Sequence, residues 1–170
     1  MPRFALFFAL LFLVAAPAST FAAELSGTWT FTGSQAELDA REAAIATAAD
    51  SYPAVFRGIA RKSISKSAIV PEQYVIEDRG DTFVMWFDGR TPRETDLVGT
   101  PITFRPPDRA DFVSLKRERV GAGIKSLAEA NSGSIQTEAV RVGEQLRITI
   151  TLVSDRLPTP LVYSLSYARQ

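Results

Sequence analysis

Apolar and polar residues alternate with a period of two over much of this 170-residue chain. In 145–154 and 161–169 every second residue is apolar, and 25–31 follows nearly the same rule. Such alternation is typical of β-strands that bury one face and expose the other. From residue 71 onward turn residues recur at about every tenth position, which indicates that consecutive strands pair as antiparallel hairpins.

The pattern predicts a mainly β fold, an antiparallel up-and-down β-barrel of about 8–9 strands. A row of that many strands leaves exposed edges unless it closes on itself. The stretch from Asp88 to Asp111 is long and broken by glycine and proline, and only 102–104 has a strand pattern there. The predicted strands are 25–31, 73–78, 82–87, 102–104, 112–119, 124–130, 134–142, 145–154 and 161–169.

Residues 34–66 interrupt the strand pattern and predict two helices inserted between the first and second strands. Ser34 and Glu37 have the spacing of a capping box, and good helix formers follow as far as Ala49. Pro53 favours the start of a second helix. The apolar stripe of that helix consists of Tyr52, Val55, Phe56, Ile59 and Ala60. Its later part carries the basic residues Arg57, Arg61, Lys62 and Lys66. These bases either contact solvent and the helix dipole, or form a basic rim for an anionic ligand or surface.

The first 23 residues have the layout of a secretory signal peptide. Arg3 precedes an apolar run of 13 residues, 4–16, which is shorter than the roughly 20 needed to span a bilayer. Pro17 and small residues follow it. We therefore expect cleavage near residue 23, export to the periplasm or the medium, and a single mature domain at 24–170 without a stable membrane span.

Composition excludes several kinds of chemistry. The chain has no His and no Cys, so His-based acid–base pairs, thiolate zinc sites, disulfides and Cys nucleophiles are ruled out. Lys and Arg total 19 and Asp and Glu total 19, which gives no reason to expect nucleic acid as a partner. No metal, cofactor or catalytic motif is found, so we predict no metal, no cofactor and no enzymatic activity.

The sequence Gly27-Thr28-Trp29 on the first predicted strand resembles the G-x-W signature of the calycins, which include lipocalins and fatty-acid-binding proteins. The resemblance implies that Gly27 and Trp29 close one end of the barrel and that Arg169, on the last strand, packs across the indole. It also implies that the helices at 34–66 form a lid. The ending 157–169 is similar to that of uncharacterised exported bacterial lipocalin-like proteins.

A calycin-like barrel would bind a hydrophobic or amphipathic small molecule in its mouth. The candidate ligand-binding residues are Phe83, Met85, Phe87, Ile148, Ile150, Tyr163, Leu165 and Tyr167, with Lys116 or Arg117 to orient a head group. Which face of the last strand lines the interior stays open, since Val162, Ser164, Ser166 and Ala168 could point inward instead. The pattern predicts no particular oligomeric state.

One alternative is a protein-interaction module of the same fold, an inhibitor or an envelope accessory protein. It would have a packed, ligand-free interior and would bind through 88–111 or the helix pair. An outer-membrane barrel is disfavoured, because 116–119 places charge on both faces of its strand.

Overall fold

The computed structural model describes residues 25–107 and 110–170. The predicted signal peptide lies outside the described residues. Two helices follow the first strand, α1 (Gln35–Asp50) and α2 (Arg57–Ser67), joined by a short 3-10 turn at Ala54–Phe56. The strands are β1 (Gly27–Phe31), β2 (Gln73–Asp78), β3 (Thr82–Phe87), β4 (Arg93–Asp96), β5 (Ile102–Phe104), β6 (Val113–Val120), β7 (Gly123–Ala130), β8 (Gly133–Val142), β9 (Gln145–Ser154) and β10 (Leu161–Arg169).

The strands form one antiparallel sheet that nearly closes into a barrel. Its order is β4-β3-β2-β1-β10-β9-β8-β7-β6-β5, so the first strand pairs with the last. The sheet is joined at its seam by a bridge between Val98 and Glu118. There the amide of Gly99 donates to the carbonyl of Arg117 at 3.0 Å, and the amide of Arg119 donates to the carbonyl of Leu97 at 3.4 Å. The predicted up-and-down barrel with two helices after β1 is therefore confirmed.

The predicted strand count of 8–9 is wrong, because the described part of the chain contains ten strands. The unpredicted strand is β4, with the sequence RETD. Its residues carry no apolar alternation, yet it pairs with β3 and buries Thr95. A short polar strand at the seam is specified by its neighbours in space, so no local pattern indicates it.

The register of β9 and β10 settles which face of the last strand is internal. Tyr163, Leu165 and Tyr167 lie opposite Ile150, Ile148 and Leu146, and all six residues are buried. The alternating residues of β10 therefore point outward. Among them Ser166 is also buried, because α1 covers it from outside the barrel.

The helices pack on one end of the barrel and on each other. Ser34 accepts a hydrogen bond from the amide of Glu37 at 3.4 Å, which is the forward half of the predicted capping box. The Glu37 carboxylate does not reach back to Ser34. It accepts from the amide and the hydroxyl of Ser166 at 3.1 and 2.7 Å, and this fastens α1 to β10. Arg41 of α1 donates to the carbonyl of Ala68 at 2.6 Å, which holds the end of α2.

Only the two ends of the apolar stripe predicted for the second helix, Tyr52 and Ala60, pack against the core. Val55, Phe56 and Ile59 are 83%, 55% and 70% exposed, whereas Ile64 is the buried residue of α2. Helix α2 packs against α1 rather than against the sheet. Its first turn and the preceding 3-10 turn therefore project beyond the barrel.

One end of the barrel is filled with side chains, and we call it the closed end. Trp29 is fully buried there, and its indole Nε1 donates to the carbonyl of Leu25 at 2.9 Å. The guanidinium carbon of Arg169 lies 5.8 Å from the centre of the indole ring, and its Nη2 donates to the carbonyl of Ser26 at 2.7 Å. Gly27 has φ +144°, and a Cβ there would lie 2.9 Å from Nε of Arg169. Other side chains no more than 2% exposed at this end include Leu25, Ile76, Phe83, Ile124, Leu146 and Ile148.

Candidate functional site

A cavity of about 770 Å³ occupies the opposite end of the barrel, beneath the end of α2. We call this the open end. The cavity is bounded by β3 and by β6 to β10, in each case by the half of the strand that is nearer to the open end. The turns that join these strands form its rim. Its volume falls within the roughly 300–1,000 Å³ typical of small-molecule sites.

The walls of the cavity are mostly apolar because the inner face of each strand continues from the closed end. On β9, for example, Leu146 and Ile148 fill the closed end, and Ile150 and Leu152 line the cavity. The other apolar wall residues include Met85, Phe87, Val113, Leu115 and Ile135.

Arg117 lies at the floor of the cavity, where the packed half begins. It is 3% exposed. Its Nη1 lies 2.8 Å from the carbonyl oxygen of Arg93 and 3.1 Å from that of Phe83, and its Nε donates to the hydroxyl of Ser126 at 3.3 Å. Its Nη2 has only one hydrogen bond to another described residue, to the carbonyl of Met85 at 3.4 Å. These bonds hold the guanidinium across the seam between β6 and the β3–β4 hairpin.

The charge of Arg117 has no ion-pair partner among the residues that the structure describes. Burial lowers the pKa of its guanidinium to about 10, so the cation persists at neutral pH. A buried cation that has hydrogen bonds but no ion-pair partner, and that lies beside a cavity, favours an anionic group in that cavity.

Two tyrosines add polar groups to the apolar wall. The hydroxyl of Tyr163 donates to the carbonyl of Ile69 at 2.9 Å, just after α2. The hydroxyl of Tyr74 makes no hydrogen bond with another described residue, although the side chain is 3% exposed and lines the cavity. Burial raises the pKa of Tyr163 to about 12 and raises that of Tyr74 further. Both phenols are therefore neutral donors at physiological pH.

The predicted ligand-binding residues divide between the two ends of the barrel. Five of them line the cavity: Met85, Phe87, Arg117, Ile150 and Tyr163. Four others are buried on the same inner face but nearer the closed end: Phe83, Ile148, Leu165 and Tyr167. Lys116 lies on neither part of this surface, because it alternates along β6 with the buried residues Leu115 and Arg117 and so faces outward.

Several lining residues are missing from the sequence prediction. Tyr74, Leu152 and Ile135 belong to strands that the prediction contained, and the period-two pattern alone could have placed them on the inner face. Arg90 and Arg93 lie in the irregular stretch after β3, which carries no pattern that could have indicated them.

A second depression, of about 440 Å³, runs along the outer side of α2. It is shallow and its lining residues are Gly58, Arg61, Lys62, Ser65 and Lys66. It has no apolar wall, so it is a solvated basic groove rather than a small-molecule site. Within 25–107 and 110–170 no group of three or more Asp and Glu side chains could hold a metal ion. No helix in those ranges is long and apolar enough to cross a membrane.

Comparison with known proteins identifies the architecture. No protein-family model matches the chain, and no curated protein matches it. Solved structures do match: fatty-acid-binding protein 1 of Echinococcus granulosus, at 16% identity and a TM-score of 0.52, covers 85% of this chain and 96% of its own. The chain has a calycin-like fold.

Two further structures support the calycin-like assignment over nearly their whole length. The fluorescent protein UnaG matches at 18% identity with a TM-score of 0.54, over 86% of this chain and 97% of its own. The fatty acid transporter REP1-NXSQ matches at 13% identity with a TM-score of 0.53, over 88% and 98%. At these identities the calycin-like fold is what the comparisons establish.

Proposed function

We propose that this protein is exported and that its mature barrel binds a hydrophobic or amphipathic small molecule in the cavity at the open end. The observation that carries the proposal is the contrast between the two ends of one inner face. Side chains fill the closed end, but the same face encloses about 770 Å³ of empty space beneath the lid. A polypeptide that needed only a stable core would gain by filling that space.

The chemistry of the lining favours an anionic amphiphile. The cavity-lining residues that the structure describes include four cations, Lys66, Arg90, Arg93 and Arg117, and no Asp or Glu. We place an acidic head group at the floor, against the Nη2 of Arg117 and the free hydroxyl of Tyr74. The apolar wall above them would bury a hydrocarbon chain, worth about 0.8 kcal/mol for each methylene.

The named neighbours are consistent with this proposal. One is a fatty-acid-binding protein and another is a fatty acid transporter, and both share the calycin-like fold. The alternative, a protein-interaction module, would have a packed interior, whereas in this barrel the closed half is packed and the open half encloses the cavity.

Binding can be tested with dodecanoate, dodecanol and the neutral dye Nile red on purified protein. We expect Nile red to gain fluorescence in the cavity and either amphiphile to displace it. The variant Ile135→Trp, which fills the cavity, should lose dye binding. The matched control is Gln136→Trp, since residue 136 adjoins Ile135 on β8 and faces outward. No dye binding, together with no bound species in native mass spectrometry, would contradict the proposal.

Export is tested separately from binding. Expression with the native N-terminus in a bacterial host should release a mature form lacking about the first 23 residues, as read by intact mass. Recovery of an intact chain starting at Met1 from the periplasm or medium would contradict cleavage of this segment.

One observation favours a second role as an interaction module. The exposed residues Val55, Phe56 and Ile59 form an apolar tip at the start of α2. Crosslinking in an envelope fraction with a photoreactive residue at position 56 would capture a partner, and a photoreactive residue at Val140, on the outer face of β8, provides the control. Equal yields at both positions would argue against a partner at the tip.

A further inference from the structure

The rim of the cavity carries a second set of cations, separate from Arg117 at the floor. Lys66 is in the last turn of α2, Arg90 is in the turn after β3, and Arg93 begins β4. These three elements are distant in sequence, and the fold brings them to one opening. Among the described residues, no ion pair joins any of the three to a carboxylate.

Two of these cations are held in place by aromatic side chains of the cavity itself. The guanidinium carbon of Arg90 lies 4.9 Å from the ring centre of Phe87, and that of Arg93 lies 4.4 Å from the ring centre of Phe104. Both phenylalanines line the cavity. Stacking on a ring leaves the N–H donors at the edge of the guanidinium available to a ligand, so the rim presents oriented donors.

Among the residues that the structure describes, the rest of the rim contributes hydroxyl groups and no carboxylate. Ser132, Ser134 and Ser154 line the cavity at the turns beside β8 and β9, and Thr91 lines it beside Arg90. An aliphatic chain that ended in a methyl group at this rim would meet cations and hydroxyls without satisfying them. An acidic group at that end would accept hydrogen bonds from them.

The backbone of Arg93 lies beside the floor, since its carbonyl oxygen is 2.8 Å from Nη1 of Arg117, but its guanidinium reaches the rim and stacks on Phe104, which pairs with Val113. The apolar wall extends from the floor to this level. On β6 the lining runs from Arg117 up to Val113, four residues along the strand, or roughly 13 Å at the usual rise. An extended chain of roughly ten to twelve carbons covers such a distance. Between the two cationic zones the lining of β6 and β9 is apolar, with Leu115 on one strand and Ile150 and Leu152 on the other.

We propose that the ligand is an amphiphile with an acidic group at each end of an apolar chain. One acidic group lies at Arg117 and the other lies at the rim among Lys66, Arg90 and Arg93. This inference rests on the proposed function, and it goes further by naming the ligand class. A ligand with one acidic group would leave the rim cations unpaired, whereas the second acidic group of a diacid stays close to solvent and is not penalised by burial.

The test compares three probes of equal chain length: dodecanol, dodecanoate and dodecanedioate. We expect dodecanedioate to displace Nile red at a concentration roughly tenfold below that needed for dodecanoate, because a second charge-assisted contact is added. Dodecanol should bind more weakly than either. A cavity with an apolar rim would show the opposite order for the two acids, since a second carboxylate would be desolvated without a partner.

The variant Lys66→Gln/Arg90→Gln/Arg93→Gln removes the rim cations and should abolish the preference for dodecanedioate over dodecanoate, while dodecanol binding changes less than about twofold. The matched control Lys125→Gln/Arg141→Gln/Arg147→Gln removes the same charge on β7 to β9, away from the lining residues. That control should keep the preference. Raising the salt concentration should narrow the preference in the unaltered protein and in the control.

The outcomes separate this inference from the proposed function. If dodecanol and dodecanoate bind but dodecanedioate binds no better, or if the control loses the preference as fully as the rim variant, the diacid inference is overturned and the binding function stands. If none of the three probes binds, the proposed function fails and the inference fails with it.

Discussion

The two ends of this barrel are built from the same strands and the same inner face, yet they differ in what they hold. At the closed end Trp29 is fully buried under Arg169, and the neighbouring inner-face side chains Leu146 and Ile148 are fully buried as well. At the open end the inner face of β9 continues through Ile150 and Leu152, but these line empty space. If the open half binds a ligand as proposed, stability depends mainly on the closed half and binding on the open half. Substitutions in the two halves should then change different measured quantities.

The largest expected effect is loss of stability from the closed end. Trp29→Ala removes a fully buried indole and should lower the free energy of unfolding by about 3–5 kcal/mol. Phe87→Ala at the open end should cost clearly less, because that ring already borders the cavity and is half-buried. Urea unfolding followed by circular dichroism measures both. Equal losses would mean that the open end contributes as much to the core as the closed end does.

Arg117 lies at the boundary between the halves, so its removal should affect both stability and binding. Arg117→Gln leaves the carbonyls of Phe83 and Arg93 without their donor, and we expect a loss of about 1–3 kcal/mol in the free energy of unfolding. Dodecanoate should bind roughly tenfold more weakly, whereas dodecanol binding should change little. A variant that loses stability but keeps full affinity for dodecanoate would show that the guanidinium only closes the seam.

A smaller effect is expected from the cation over the indole. Arg169→Ala removes the contact with Trp29 and the hydrogen bond to the carbonyl of Ser26, for an expected loss of about 1 kcal/mol. Affinity for dodecanoate should be unchanged, since Arg169 is at the far end from the cavity. Calorimetric melting measures the loss of stability, and dye displacement on the same sample measures the affinity for dodecanoate.

At neutral pH the smallest effect is expected from Tyr163, which adds a dependence of stability on alkaline pH. Burial raises the pKa of Tyr163 from 10.0 to about 12, so the native state keeps the phenolic proton after the unfolded chain has lost it. The contribution is therefore present in full below pH 10 and declines as the pH rises towards 12. Tyr163→Phe should lose stability less steeply over that range than the unaltered protein. Parallel slopes in urea titrations across the range would contradict this.

The sequence indicates which residues of an alternating strand share a face, but it does not indicate how far along the barrel axis each residue lies. Strand β3 is apolar on both faces, so its sequence alone does not separate Phe83, Met85 and Phe87 from their neighbours. On β9 the alternation does place Ile148 and Ile150 on one face, and the register pairs them with Leu165 and Tyr163. Alternation is a local property of the chain, because successive side chains point to opposite sides of any strand. The sequence could not tell which of those residues fills the closed end and which lines the cavity.

The grouping of cations at the rim could not be predicted from the sequence at all. Lys66, Arg90 and Arg93 belong to three segments whose only link is the closure of the barrel. The basic residues of α2 were visible in the sequence, as solvent-exposed side chains or as a basic rim. Nothing in the sequence indicated that Lys66 lies at the same opening as Arg93. Strand β4, with its polar sequence RETD, was missed for the same reason.

By itself, then, the sequence determined the kind and order of the elements other than β4, and which residues of an alternating strand share a face, since these depend on residues a few positions apart. Which of the two faces of β10 is internal was decided only by its pairing with β9. The sequence also determined that His and Cys chemistry is absent. Only the tertiary structure decided where the interior is filled and where it is hollow, and which cations meet at the opening. Those features depend on how far along the barrel axis each residue lies once all ten strands have paired.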